Sequence, residues 1–330
     1  MGKGFAVHRR PPWFHPRRLG VASVLLALGC TGKHGGGPDS TGSEDSAPAR
    51  VTGPLHLVYK GGPLRARWDD DEVHSIYEAS SADGVNFSED GLLFSSAAGN
   101  DPDVFPYNDG YALFTSTGPT LTFATSTTIS GTYDLAGEFS WFGGGGPSTI
   151  DVAGSERVFY CGADGVDFTT FVPDPLGLGP FESAVLNPFG TGHICDPSVV
   201  QLNDGTFRMF YIWSPELDSG PWDHQIYSAT STDGMHFTAD LTMLRDEASV
   251  PGAVLWGDTL YLYAVDATGG GEHDSADSGG GDSGDTAKPE RSGLIVGMST
   301  DGGHTFDWQE VLIPGKAMAL AFDPDAILVE

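Results

Sequence analysis

"DPDVFPYNDGYALFTS", Asp101–Ser116, is the stretch on which the fold turns. It opens on Asp-Pro, passes through apolar residues to Asn-Asp-Gly, and resumes as an aromatic-rich run. Asn-Asp-Gly between two such runs signals a β-hairpin, because glycine supplies a positive φ without steric cost. The opening recurs as "GPSTI" at Gly146, "DPSVV" at Asp196, "VPGAV" at Val250 and "DPDAI" at Asp323. Each copy is Pro, any residue, a small or β-branched residue, then a large apolar one. The first four continue through a turn into a second strand, and the fifth, "AFDPDAILVE", has no second strand after it.

A third and a fourth strand follow in several repeats. "SADGVNF" (81–87), "STDGMHF" (231–237) and "STDGGHTF" (299–306) share Ser-x-Asp-Gly with a following Phe, and resemble the Asp-box of sialidase-like propellers. In such a turn the Asp carboxylate accepts backbone N–H groups and the glycine takes the left-handed position, so these aspartates read as structural. Four strands per unit, a period of roughly 45 to 54 residues and no amphipathic helix predict an all-β, five-bladed propeller over residues 52–330. The domain begins "GPLHLVYKGG", a second strand with no first, so the terminal "DPDAILVE" is expected to supply the innermost strand of that blade. Closure of this kind leaves no free sheet edge between the two ends. The Gly/Ser/Asp-rich stretch 268–291 reads as a disordered acidic loop inserted in the fifth unit, and its acids lack the fixed spacing of a calcium loop.

The front of the chain reads as an address. Lys3, Arg9, Arg10, Arg17 and Arg18 precede "LGVASVLLALGC", whose apolar run is about half of the ~20 residues that a membrane span needs. Residues 1–29 are therefore expected to be an export signal. The small residues before Cys30 resemble the lipobox of bacterial lipoproteins, which implies lipidation of Cys30 and a place in the bacterial cell envelope, on the outer membrane or cell surface. Residues 30–51, rich in Gly, Ser, Pro and Asp, suit a flexible tether. An oxidising compartment permits a disulfide between the remaining cysteines, Cys161 and Cys195, and no Cys/His spacing of a zinc site is present.

The formal net charge is −29, and it belongs to the folded part: outside the signal, the tether and the inserted loop stand 36 acids and only seven Lys or Arg. So few cations exclude phosphate backbones as partners, and membrane contact is expected only through the N-terminal lipid. A neutral ligand such as a glycan is compatible, and the domain is expected to act as a monomer.

Innermost strands line a propeller's channel, so the residues at their starts are the candidates. These are Asp101, Asp103, Asp196, Asp323 and Asp325, with Gly145 and Gly146 in the third blade and Ser249 and Val250 in the fifth. Converging carboxylates raise one another's pKa values, and carboxylate pairs do acid/base work on glycosidic bonds. Trp141, Trp213, Trp222 and Trp256 stand near strand ends, where their rings could stack on sugars.

"DPDVFPYNDGYALFTS" and "DPSVVQLNDGTFRMFYIWS", with the Ser-x-Asp-Gly turns, resemble the five-bladed propellers of the arabinanase, xylosidase, invertase and levansucrase glycosidases. That resemblance implies a base or nucleophile Asp, a second modulating Asp and a general acid Glu on successive inner strands. Asp323 would be the base and Asp101 the second Asp, but the acid's place falls at "GGGGPSTI". In the other phase Asp196 is the second Asp, Glu247 lies two residues too far from Pro251 to be the acid, and the base falls at Gly146. Each phase lacks one of three groups; Glu216 or Glu247 from another loop is the expected substitute acid. No cofactor is expected; some glycosidases of that group hold a central metal with a histidine, which here would be a Ca2+ in the channel with His193 near the axis. Two functions follow: a glycan-hydrolysing enzyme, or a non-catalytic propeller that binds carbohydrate or protein.

Overall fold

The computed structural model describes residues 53–61, 75–95, 100–116, 120–140, 145–174, 176–216, 220–268, 293–313 and 321–329. The export signal, Cys30, the tether, Trp141 and all but the first residue of the inserted loop lie outside them. The chain divides into residues 1–48 and 49–330, and only the second unit contains described residues.

The expected propeller is present. Its first blade joins the two ends of the domain, in the order Ala321–Leu328 (β21), Leu55–Gly61 (β1), Ser75–Ser81 (β2) and Phe87–Ser95 (β3). The terminal strand β21 runs antiparallel to β1, from Leu55 opposite Leu328 to Gly61 opposite Ala321. The second blade is Asn100–Tyr107 (β4), Gly110–Ser116 (β5), Thr120–Ser126 (β6) and Asp134–Ser140 (β7). The third is Ser148–Asp151 (β8), Glu156–Cys161 (β9) and Gly165–Pro173 (β10), edged by Leu176–Leu178 (β11) and Glu182–Leu186 (β12). Both short strands pair with β10, and Gly179-Pro180 separates them, since proline cannot donate to a ladder. The fourth blade is His193–Gln201 (β13), Phe207–Ser214 (β14), Gln225–Ser231 (β15) and Thr238–Asp246 (β16). The fifth is Ala248–Trp256 (β17), Thr259–Asp266 (β18), Leu294–Ser299 (β19) and Asp307–Glu310 (β20).

Each sheet is apolar on both faces, because each packs between two neighbours. Five buried clusters result, one per blade interface. Leu57, Tyr59 and Ala326 of the first blade meet Val254, Tyr263 and Val296 of the fifth. Phe105, Phe114 and Phe123 of the second meet Val158, Tyr160 and Phe171 of the third, with ring centroids as close as 5.0 Å for Phe123 and Phe171. Burial of this area is the main force holding the ring together, at roughly 25 cal/mol per Å² of apolar surface.

The Ser-x-Asp-Gly turns are structural, as their sequence implies. Asp83 Oδ1 accepts the N–H groups of Val85 and Asn86 at 2.9 and 2.8 Å, and these bonds hold its pKa down at about 2. Asp233 and Asp301 make the equivalent bonds in the fourth and fifth blades; the His236 N–H lowers the Asp233 pKa most, and the Thr305 and Ser299 hydroxyls lower that of Asp301. Gly84 takes φ +76° and packs on Tyr261 and Tyr263 of the fifth blade, with the Tyr263 hydroxyl donating to its carbonyl at 2.7 Å.

Candidate functional site

The site begins with a backbone feature common to all five blades. The residue before each repeat proline has positive φ: Asp101 47°, Gly146 60°, Asp196 48°, Val250 48° and Asp323 51°. For a non-glycine residue, and above all for β-branched Val250, this conformation costs on the order of 1–3 kcal/mol. At the same place the ladder slips: between Asn100 and Asp103, Cys195 and Ser198, Ser249 and Gly252, and opposite Val58 and Lys60 in the first blade. Each aspartate therefore sits inside its strand at a left-handed bulge and does not merely open it. Bulges re-aim side chains. Here they carry Asp101, Asp196, Val250 and Asp323 to one end of the channel, where they share a cavity of about 280 Å³.

Lys60, Asn100, His224 and Ser249 line the same cavity; the sequence pointed to Ser249 and not to the other three. Lys60, next to last in β1, is 4% exposed, bonds to the Asn100 side chain and stands 3.9 Å from Asp323 Oδ2. The His224 ring bonds to Ser249 Oγ at 2.7 Å, and Trp222, 43% exposed, lies on the same loop between β14 and β15. Lys60, Asn100 and His224 come from strand ends and a loop, and no repeat marks them.

The three cavity aspartates differ in their partners. Asp101 Oδ2 accepts the Ser116 hydroxyl at 2.6 Å and the Gly146 N–H at 3.1 Å. Asp323 Oδ2 accepts the Asp101 N–H at 3.4 Å. Burial raises the Asp323 pKa and the Asp101 charge raises it further, against the opposing pull of Lys60. Asp196 is raised well above the usual carboxylate range by burial, then by the charges of Asp101 and Asp323. Among the described residues no nitrogen or hydroxyl donor reaches its carboxylate, whose Oδ1 lies 3.3 Å from Cys195 Sγ and 3.7 Å from Cys161 Sγ.

Those two cysteines form a disulfide between the third and fourth blades, with Cα atoms 4.7 Å apart. Behind it lies a second cavity of about 310 Å³, and this is where His193 stands, with Asp164 and Asn187. Trp213 is further out; its Nε1 donates to Thr191 O at 3.0 Å and its ring packs on Phe189. Glu216 and Glu247 are exposed, and neither lines the carboxylate cavity.

Asp103 and Asp325 are engaged in joining blades. Asp325 Oδ2 accepts Val104 N–H at 2.7 Å, and Asp103 Oδ1 accepts Thr149 N–H at 3.0 Å. Ser148 Oγ accepts Val199 N–H at 3.0 Å, and Ser198 Oγ accepts Ala253 N–H at 2.8 Å. In four of the five blades the residue after the repeat proline thus bonds to the next inner strand around the ring. The fifth such residue is Gly252, where a Cβ would stand 2.1 Å from Pro324 O. The polar or small residue after each proline was the signal for this belt.

A calcium ion on the axis does not suit these residues. The channel between the five prolines, about 20 Å³, is lined also by Asp101, Asp196, Asp323 and Asp325, and no three of these carboxylates bring their oxygens within 4.8 Å of one another. Ca2+ takes six to eight oxygen ligands at 2.3–2.6 Å. Among the described residues, one set of three His, Cys, Asp or Glu side chains has its ligand atoms within 4.8 Å of one another: Cys161, Cys195 and Asp196. Its two sulfurs are bound to each other, and His193 is not on the channel wall.

No protein-family model matches the chain, and no curated protein sequence matches it. Solved structures do. An endo-1,4-β-xylanase from Bacteroides thetaiotaomicron superposes with a TM-score of 0.50 at 15% identity, over 66% of this chain and 87% of that one. An arabinanase from Bacillus subtilis gives 0.46 at 17% identity, over 68% and 92%. A Cellvibrio cellulosa α-L-arabinanase in complex with arabinohexaose gives 0.44 at 13% identity, over 66% and 88%. At 15% identity, what the chain shares with the xylanase is the fold.

Proposed function

We propose that this propeller is a lipid-anchored glycan-processing enzyme of the bacterial cell envelope. The observation that carries the reading is the cavity of about 280 Å³ into which Asp101, Asp196 and Asp323 converge from the second, fourth and first blades. Its size approaches the lower range of ligand pockets, and it suits one sugar ring held at the channel mouth. The −29 charge and the scarcity of Lys and Arg argue for an uncharged substrate. Xylan and arabinan are the first polymers to test, because proteins of the same fold carry xylanase and arabinanase names.

In this reading Asp323 is the general base. Burial and the Asp101 charge bring its pKa to about 7, near the pH at which a base is most effective. Asp101 is held by the Ser116 hydroxyl and the Gly146 N–H, so it is suited to stabilising positive charge at the sugar and not to moving protons. Trp222 offers an apolar face beside the mouth. Release of reducing ends from a glycan panel by the purified domain tests the proposal, with Asp323→Asn as the inactive control. One observation favours a second reading, binding without turnover: the third blade presents glycines where the resemblance places its acid. Affinity for a glycan without release of reducing ends supports that reading instead.

A further inference from the structure

We infer that Asp196, on the fourth blade, donates the proton to the departing glycosidic oxygen, in place of the side chain that the third blade lacks. The inference rests on the hydrolase reading above and assigns its missing group.

The first observation is steric. Gly146 has φ +60°, and a Cβ built there would stand 2.8 Å from both Asp196 Cα and Asp196 Oδ1. The volume that a side chain at Gly146 would occupy is therefore filled by Asp196. The bare third blade and the aspartate of the fourth are two halves of one arrangement.

The second observation is the distribution of donors. Asp101 and Asp323 each receive a backbone N–H, and further stabilisation comes from Ser116 for the first and Lys60 for the second. Asp196 receives no nitrogen or hydroxyl donor among the described residues. A half-buried carboxyl without donors, facing two other carboxylates, favours its neutral form. The direction of its pKa agrees. A carboxyl that stays protonated near neutrality is what a general acid requires.

The third observation is position and support. Asp196 lines the same cavity as Asp101 and Asp323, so all three can reach one bound sugar. Its N–H donates to Cys161 Sγ at 3.2 Å, and its carboxyl lies against both sulfurs. The disulfide is thus a backstop that holds the residue in its left-handed bulge.

The step balances without a further reactant. The Asp196 O–H proton passes to the glycosidic oxygen as the bond from that oxygen to the anomeric carbon breaks, and the electron pair leaves with the oxygen. Water adds to the anomeric carbon and gives its proton to Asp323. Transfer of that proton to Asp196 through solvent restores both groups, and the net change is one water consumed.

The test compares two substrates on one protein. Removal of a general acid costs 10²–10⁴-fold on an ordinary glycoside and little on one whose leaving group needs no proton. Asp196→Asn is expected to lose about 10²–10⁴-fold on an alkyl glycoside or oligosaccharide. On a dinitrophenyl glycoside of the same sugar it should stay within about tenfold of the parent, because departure of that group gains little from protonation. The ratio of the two rates does not depend on the fraction of variant that is folded. Asp323→Asn is expected to fail on both. Equal losses on the two substrates, or no loss on either, overturn the role of Asp196 while leaving the enzyme an enzyme. Absence of turnover by the parent on both overturns the hydrolase reading and the inference with it.

Discussion

Gly146 and Asp196 compete for one space, and the aspartate holds it: any Cβ at Gly146 would lie 2.8 Å from the Asp196 Cα and Oδ1. Placing a carboxyl on the third blade by Gly146→Glu is therefore expected to fail. The backbone there is at φ +60°, where an L residue is strained, and the clash includes main-chain atoms that cannot swing aside. Gly146→Ala already meets both costs and should lower the unfolding free energy by about 1–3 kcal/mol. Denaturant titration of the alanine variant measures this. Activity gained by Gly146→Glu would contradict the account.

The raised carboxyls of the site give stability a distinctive pH dependence. Asp323 titrates near 7 in the folded protein, raised by burial and by Asp101, against an ordinary carboxyl near 4 when unfolded. The folded state therefore binds more protons between these values, and stability falls as pH rises through that window. Asp196 acts in the same sense. Each such group adds a slope of about −1.4 kcal/mol per pH unit while it is charged only in the unfolded chain. Unfolding measured from pH 4 to 8 should show this decline, and Asp323→Asn should flatten it. The Ser-x-Asp-Gly turns pull the other way at the acid end. The pKa of Asp83 is held at about 2, so its contribution is lost only as pH falls from about 4 towards that value.

Much of the fold was legible because each blade repeats the same local choices. Pro, any residue, a small or β-branched residue and a large apolar one recur five times, and the unpaired ends at "GPLHLVY" and "DPDAILVE" called for each other. The bulge was not legible. A residue before proline ordinarily takes an extended conformation, so Asp101, Asp196 and Asp323 read as strand openers. Only the ring geometry sustains φ near +50° at each of them. The same bulge separates Asp101 from Asp103 and Asp323 from Asp325. The first of each pair lines the cavity, while the second bonds to the neighbouring blade. Lys60 and His224 belong to the site through the closure of the ring and through a loop, and neither has a local signature.

The Cys161–Cys195 bridge should matter to stability and to chemistry separately. It closes a loop with a sequence separation of 34, for which the chain-entropy relation gives roughly 3–4 kcal/mol. The double variant Cys161→Ser/Cys195→Ser is expected to lose about that much in denaturant titration. It also removes the backstop of Asp196. Under conditions where the variant is fully folded, kcat on an oligosaccharide should fall while KM changes little. Unchanged kcat would show that the bulge holds Asp196 without the sulfurs.

The belt of side chains that joins the inner strands makes a prediction of opposite sign for two changes at one residue. Asp325 accepts Val104 N–H at 2.7 Å, yet burial and the charge of Asp103 raise its pKa. What the belt needs there is an acceptor, and the negative charge is a liability. Asp325→Ala leaves a Val104 N–H without its partner and should cost about 1–3 kcal/mol. Asp325→Asn keeps an oxygen in place and removes the repulsion, so at neutral pH it should match the parent or exceed it. Near pH 4, where the parent's carboxyl is protonated, the advantage of asparagine should vanish. Denaturant titration of both variants at the two pH values separates the hydrogen bond from the charge. A loss in Asp325→Asn as large as in Asp325→Ala would show that the carboxylate itself, and not its bond to Val104, holds the first blade to the second.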